Sequence, residues 1–305
     1  MSWLAVWGYV SLTGFVVGSL IRWWRYWRMP LHVRWELYPV ARESGKVAYG
    51  GSYFEEIDWW TKPRETSVVG EIGTLATEVL VLKMVRKNNP RLWLPSLLFH
   101  WGLYLLFVLG VALLLGAAAR RLGLAGFAWL AGGRALSLLG LLALVLATVG
   151  CCALLARRLH DPSLRNASTP ADFVHLGLLL AVFLASWGSW LFADRHYRLA
   201  AGFLDGLLSG RDAANSAGWV AAQLLLLGVF LAYLPWSQMA HMFGKYFTWH
   251  SVRWDDTPNL PGTPYDAKVQ RLLLRPLSWA APHISGGRRG SWADVLRTGR
   301  GDDRG

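Results

Sequence analysis

Only 16% of the 305 residues carry a full charge, whereas soluble domains carry about 25%. Acids are scarcer than bases, 19 against 31, and the two that approach the long apolar runs closely, Asp172 and Asp194, sit at their rims. A transporter or channel is expected to show carboxylates along a path, inverted repeats or broken helices. No internal repeat is evident and both acids sit at the rims, which argues against that class. Cysteine is nearly absent. Cys151 and Cys152 are neighbours within one apolar run, a spacing that suits neither a structural disulfide nor a metal site, and they read as small apolar residues. The polar loop and tail hold no cysteine at all, so an iron-sulfur cluster with the usual thiolate ligands is excluded from those parts of the chain.

What is abundant is apolar. Hydrophobic residues make up 54% of the chain and tryptophan occurs 19 times, with a positive mean hydropathy. This composition defines an all-α integral membrane protein, its indole rings suited to the lipid–water interface. Five segments are apolar for the ~20 residues that a spanning helix needs: Trp3 to Leu20, Trp93 to Ala119, Ala135 to Ala156, Phe173 to Ala193 and Gly218 to Phe243. They predict five transmembrane helices in a bundle. Arg22, Arg25 and Arg28 follow the first span among tryptophans, an inner-face anchor, and the remaining Lys/Arg bias places the N-terminus outside and the C-terminus in the cytoplasm. The first span has no charged region before it and no small-residue cleavage site after it, so it reads as a retained helix. The formal charge of +12 lies beside the spans, which points to lipid headgroups and away from nucleic acid.

Between the first two spans, Val68, Val69, Ile72, Leu75, Ala76, Val79, Leu80 and Leu82 recur at helical spacing, punctuated by Glu71, Glu78 and Lys83. The pattern predicts an amphipathic interfacial helix on the inner surface in the first cytoplasmic loop, not a sixth span. The chain then divides into a first transmembrane helix over 1–22, a cytoplasmic loop with the interfacial helix over 23–92, a four-helix membrane domain over 93–243 and a cytoplasmic tail over 244–305.

Two histidines lie inside the apolar runs: His100 in LLFHWGLYLLFVLG and His241 in LAYLPWSQMAHMFGKYF. An ionisable side chain at membrane depth is costly unless it is used, and a neutral imidazole in a helix bundle is an ordinary ligand for haem iron. At a rise of about 1.5 Å per residue, His100 lies roughly 10 Å beyond Trp93 and His241 about 6 Å before Lys245, so both belong to the inner half. Borne on antiparallel spans at one depth, they could supply both axial ligands of a single b-type haem. The absence of C-x-x-C-H argues against a c-type haem. Pro235 can kink the fifth span and help aim His241 inward. Arg91, Arg157, Arg158 and Arg165 gather at the same rim and could pair with haem propionates, although the positive-inside bias also accounts for them. The plainer alternative for the histidine pair is two rings hydrogen-bonded to nearby carbonyls or interfacial water. His175 competes as a ligand or propionate partner, while His32, His160, His196, His250 and His283 fall in loops or at interfaces, where a solvated role suffices.

The segments SLLFHWGLYLLFVLG around His100, RRLHDPSLRNASTPADF from Arg157 to Phe173 and LPWSQMAHMF around His241 resemble the gamma subunit of respiratory nitrate reductase, a five-helix membrane cytochrome b. The resemblance implies that His100 and His241 ligate the haem nearer the cytoplasm. That family's outer haem uses positions that here hold Gly110 and Gln223, neither of which can replace an imidazole. One haem b is therefore implied, with the second absent or differently ligated. The stretches MPLHVRWELYPVARESGKVAYGGSYFEEIDWWTKP and KYFTWHSVRWDDTPN are similar to the membrane cytochrome subunits of sulfite-reduction-associated and transmembrane redox complexes of anaerobes. In that branch the partner is a cytoplasmic iron-sulfur protein related to heterodisulfide reductase, often joined by multihaem c-type cytochrome or ferredoxin-like subunits. The lack of cysteines in the polar loop and tail independently calls for such a partner.

The resemblance thus implies an electron-transfer subunit of the cell inner membrane in anaerobic respiration. It would pass electrons between the quinone pool and the iron-sulfur partner without itself acting on a soluble substrate. The alternative is a cofactor-free anchor that recruits a soluble redox complex. Trp35, Tyr38, Tyr53, Phe54, Trp59 and Trp60, beside Glu55, Glu56 and Asp58, read as a docking surface or as rings in the headgroup layer. Arg253, Trp254, Asp255 and Asp256 read as a second contact or a polar turn.

Overall fold

The computed structural model describes residues 2–28, 44–47, 49, 51–52, 55–63, 67–210, 218–245, 247, 259–279 and 290–298. Two compact units emerge: residues 1–27 with 66–246, and residues 28–65 with 247–305. The first is an all-α membrane bundle. Its spanning helices are α1 (Trp3–Trp27), α4 (Pro90–Arg121), α5 (Arg134–His160), α7 (Pro170–Phe192) and α9 (Trp219–Tyr233), and each carries an apolar window long enough to cross a bilayer, the last continuing to Trp236. Shorter helices join them: α2 (Val68–Leu80), α3 (Lys83–Asn88), α6 (Pro162–Asn166) and α8 (Arg198–Ser209).

Small residues let the helices approach. A Cβ on Gly102 of α4 would stand 2.3 Å from the backbone nitrogen of Ala147 in α5, and one on Gly150 would stand 2.3 Å from that of Phe99. In lipid, where no water is expelled by packing helices together, such close backbone approach supplies much of the association. The row continues with α5 beside α7, α7 beside α9 and α9 beside α1, whereas α4 and α9 make no extended contact. Phe99, Ala147, Cys151, Leu176, Leu179 and Phe183 form a core in the half of the bundle that the charge bias assigns to the cytoplasm, called the inner half below. Cys151 is buried there and Cys152 is exposed; both are free thiols.

The outer end is bridged by α8, a helix not read from the sequence. The buried Asp194 carboxylate accepts the backbone N–H groups of Arg198 (2.7 Å) and Ala200 (2.9 Å), satisfying donors that a helix start leaves unpaired. Phe203 and Leu207 then pack on Leu4 and Ala5 of α1, and Ala201 packs with Leu109 and Leu113 of α4. Arg121 pairs with Asp205 at 3.0 Å.

The predicted amphipathic segment is helical but shorter than its pattern. It ends at Leu80, turns through Leu82 in the left-handed region (φ 53°) and restarts as α3. Its C-terminal end is stitched to α4. Trp93 Nε1 donates to Val81 O (2.7 Å), Trp101 Nε1 to Leu80 O (2.9 Å) and the Tyr104 hydroxyl to Val79 O (2.9 Å). Carbonyls at a helix end lack internal donors, and here the side chains of α4 supply them. Trp101→Phe and Tyr104→Phe should each cost about 1–3 kcal/mol of local stability by leaving a carbonyl unpaired, read as faster amide hydrogen exchange across α2 with α5 unchanged.

The second unit, taken by itself, contains α10 (Pro264–Leu273) and α11 (Trp292–Thr298). An antiparallel bridge joins Pro276 to Ser291, and Trp279 packs edge-on to Trp292. Trp59 and Trp60 form another edge-on pair. Beside them Lys46 and Lys62 both reach Glu56, at 2.5 and 3.4 Å.

Candidate functional site

The fifth span does not run as one α-helix to Phe243. Regular α-helix stops at Tyr233, 3-10 turns occupy Leu234–Trp236 and Gln238–Ala240, and helix resumes over 241–245. Pro235 causes the break because it cannot donate to the preceding turn. Ser237 then adopts an extended conformation and its side chain accepts the Met239 N–H. The Ser237 carbonyl accepts the Ala240 N–H at 3.2 Å and the Arg22 guanidinium of α1 at 3.3 Å. His241 is thus the first residue of a new turn, re-aimed by the break.

This turn brings His241 to His100. The ring centroids are 6.3 Å apart with planes inclined at 66°. His100 Nδ1 is 2.7 Å from the Ser96 carbonyl and His241 Nδ1 is 3.2 Å from that of Gln238. A carbonyl fixes the tautomer with hydrogen on Nδ1 and leaves the Nε2 lone pair to bind a metal, the support that ligating histidines ordinarily receive. Imidazole nitrogens bind such metals at about 2 Å, and each ring centroid lies roughly 1 Å behind its nitrogen. Two imidazoles this close would be able to hold one metal ion between them through their Nε2 atoms. No group of three or more His, Cys, Asp or Glu side chains converges among the described residues. Two imidazoles without a third side-chain ligand suit an iron whose other four positions a porphyrin fills. The residues present fit a b-type haem.

The other sequence candidates are placed differently. His175 is buried at a similar level, but its Nε2 is 2.8 Å from the Tyr233 hydroxyl and it is tied to α9. Arg157 pairs with Asp161 at 2.9 Å. Arg158 bonds the Ser168 hydroxyl at 2.5 Å and lies 3.8 Å from Asp172. These two arginines fasten the turn around α6. The Ser163 hydroxyl, its backbone N–H and the nearby Arg157 hold the Asp161 carboxyl below the usual carboxylate range, so this fastening survives mild acid and is lost only as pH falls through that lowered value. Arg91 and Arg165 are exposed. Gly110 is exposed with open space beside it, and Gln223 is half-buried. Trp35, Tyr38, Tyr53, Phe54, Arg253, Trp254, Asp255, Asp256, His32, His250 and His283 lie outside the described residues.

Sequence reasoning missed Tyr104, whose ring centroid is 6.2 Å from that of His100, and the aromatic ladder to which it belongs. The recurrence of Trp93, Trp101 and Tyr104 along one face of α4 was the available signal. No family model and no curated protein matches this chain. What fold and composition define is a multi-pass, all-α membrane protein with five spanning helices.

Proposed function

We propose that this chain is a cytochrome b subunit of a cell inner membrane that carries electrons between a quinone and a cytoplasmic iron-sulfur partner. The observation that carries the reading is the His100–His241 pair: one centroid separation, two Nδ1 atoms each engaged by a carbonyl, and two Nε2 atoms left for metal. A bound haem would supply a one-electron couple inside the hydrocarbon. His100 and His241 hold the iron and tune its potential, their carbonyl partners strengthen both imidazoles as ligands, and the Phe99–Phe183 core walls the inner half of the bundle. The iron-sulfur partner follows from the resemblance together with the lack of cysteines in the polar segments.

The test is the chain purified in detergent after expression with adequate haem supply. A reduced b-type absorption band and a pyridine haemochrome value near one haem per chain are expected. A colourless preparation would overturn the reading and leave a cofactor-free anchor.

A further inference from the structure

The proposed electron path leaves one buried carboxylate unused. Glu78 is only 4% exposed, at the end of a helix whose neighbouring carbonyls are bonded by Trp101 and Tyr104. Among the described residues its donor is the Met84 backbone N–H, 3.3 Å from Oε2. This bond caps α3. Capping occupies one oxygen and needs no ionisable group, since asparagine or serine serves as well. A carboxylate buried this far is otherwise expensive to keep charged.

Its position supplies a use. Along α4, residues 93, 100, 101 and 104 fall on one face at 3.6 residues per turn, opposite Gly102, which is pressed against α5. The last turn of α2, which bears Glu78, is therefore fixed to the face of α4 that presents His100, through Tyr104, whose ring lies beside the imidazole. The same segment leaves Val68, Val69, Ile72, Leu80 and Val81 exposed, an apolar flank suited to lipid. A lipid-dissolved molecule can reach this flank without crossing water.

Resting on the cytochrome reading, we propose that the α2–α3 turn and Tyr104 form the site of a membrane quinol, with Glu78 as its proton acceptor. A quinol becomes a quinone by losing two electrons and two protons. A haem held by His100 and His241 would take these electrons one at a time and hand them to the iron-sulfur partner. For each transfer an O–H bond breaks, and its proton passes to the free oxygen of Glu78 and then to water at the inner rim. Run in reverse, Glu78 delivers protons to a quinone.

Glu78→Gln tests this, because the amide oxygen still accepts the Met84 N–H while the side chain can no longer take a proton. With menadiol as reductant, the rate of haem reduction in Glu78→Gln should fall on the order of a hundredfold, as loss of a general base requires. Haem content, spectrum and reduction by dithionite should match wild type. In protein already reduced with dithionite, where no electron can move, calorimetry should show the dissociation constant of menadiol raised roughly fivefold by loss of the charge-assisted hydrogen bond. Wild-type menadiol kinetics and affinity in Glu78→Gln would show that Glu78 is only a helix cap and would overturn the proposal, leaving the cytochrome reading intact. Absence of haem from wild type would remove both.

Discussion

Alanine in place of either His100 or His241 should abolish the cytochrome. The purified His100→Ala and His241→Ala proteins are expected to carry at least about tenfold less haem than wild type, since loss of a first ligand exceeds the 10–100-fold effect of losing its supporting hydrogen bond. Each variant should still insert, because neither ring belongs to the buried packing of the bundle: His100 is half-buried and His241 is exposed. His175→Ala separates position from ligation. Its ring stands at a similar depth but is committed to Tyr233, so it should lose stability at the α7–α9 contact while keeping its haem. Absorbance per chain, with circular dichroism as a fold control, checks all three. A His100→Ala or His241→Ala protein with a normal spectrum would remove that residue from the site.

The next largest effect is expected where α4 crosses α5. Gly102→Val and Gly150→Val each drive a side chain into the backbone of the facing helix, at Ala147 and Phe99. Backbone cannot swing aside as a flexible side chain can, so the helices must separate, at a cost of about 3 kcal/mol or more. Separation also removes the α5 support behind Phe99, the neighbour of His100, and haem retention should fall with stability. Gly177→Ala is the control. Nothing lies within 4 Å of a Cβ there, and alanine in a helix gains about 0.5–1 kcal/mol over glycine. Thermal denaturation in one detergent should therefore rank Gly177→Ala at or slightly above wild type and both valine variants well below it.

The five spans were legible because hydrocarbon thickness imposes a length that composition reveals directly. The end of the fifth was not: Gly218 to Phe243 is one apolar run, and only the structure shows that Pro235 and Ser237 split it before His241. Pro235 signalled a kink, but a kink and a full break look alike in sequence. The α8 helix escaped because its apolar face is too short to read as a span, with Arg198 and Asp205 on the opposite face, and its start depends on Asp194 reaching forward to the backbone. The histidine pair could be read from depth alone, since both residues stand out against apolar neighbours. What became of His175 and the arginines could not. Whether His175 meets a partner depends on the register of α7 against α9, and Arg157 and Arg158 are drawn to Asp161, Ser168 and Asp172 in the loop they help to build. The ladder from α4 to α2 shows the same limit. Tryptophan at an interface is so common that Trp93 and Trp101 read as ordinary belt residues until the carbonyls they cap are seen.

Electron paramagnetic resonance of the oxidised, purified chain tests the central claim most directly, because it reports the ligands of the iron rather than the presence of pigment. Two imidazoles on one haem should give a low-spin ferric signal that integrates to about one spin per chain. A high-spin signal, or a low-spin signal unchanged in His241→Ala, would contradict ligation by this pair.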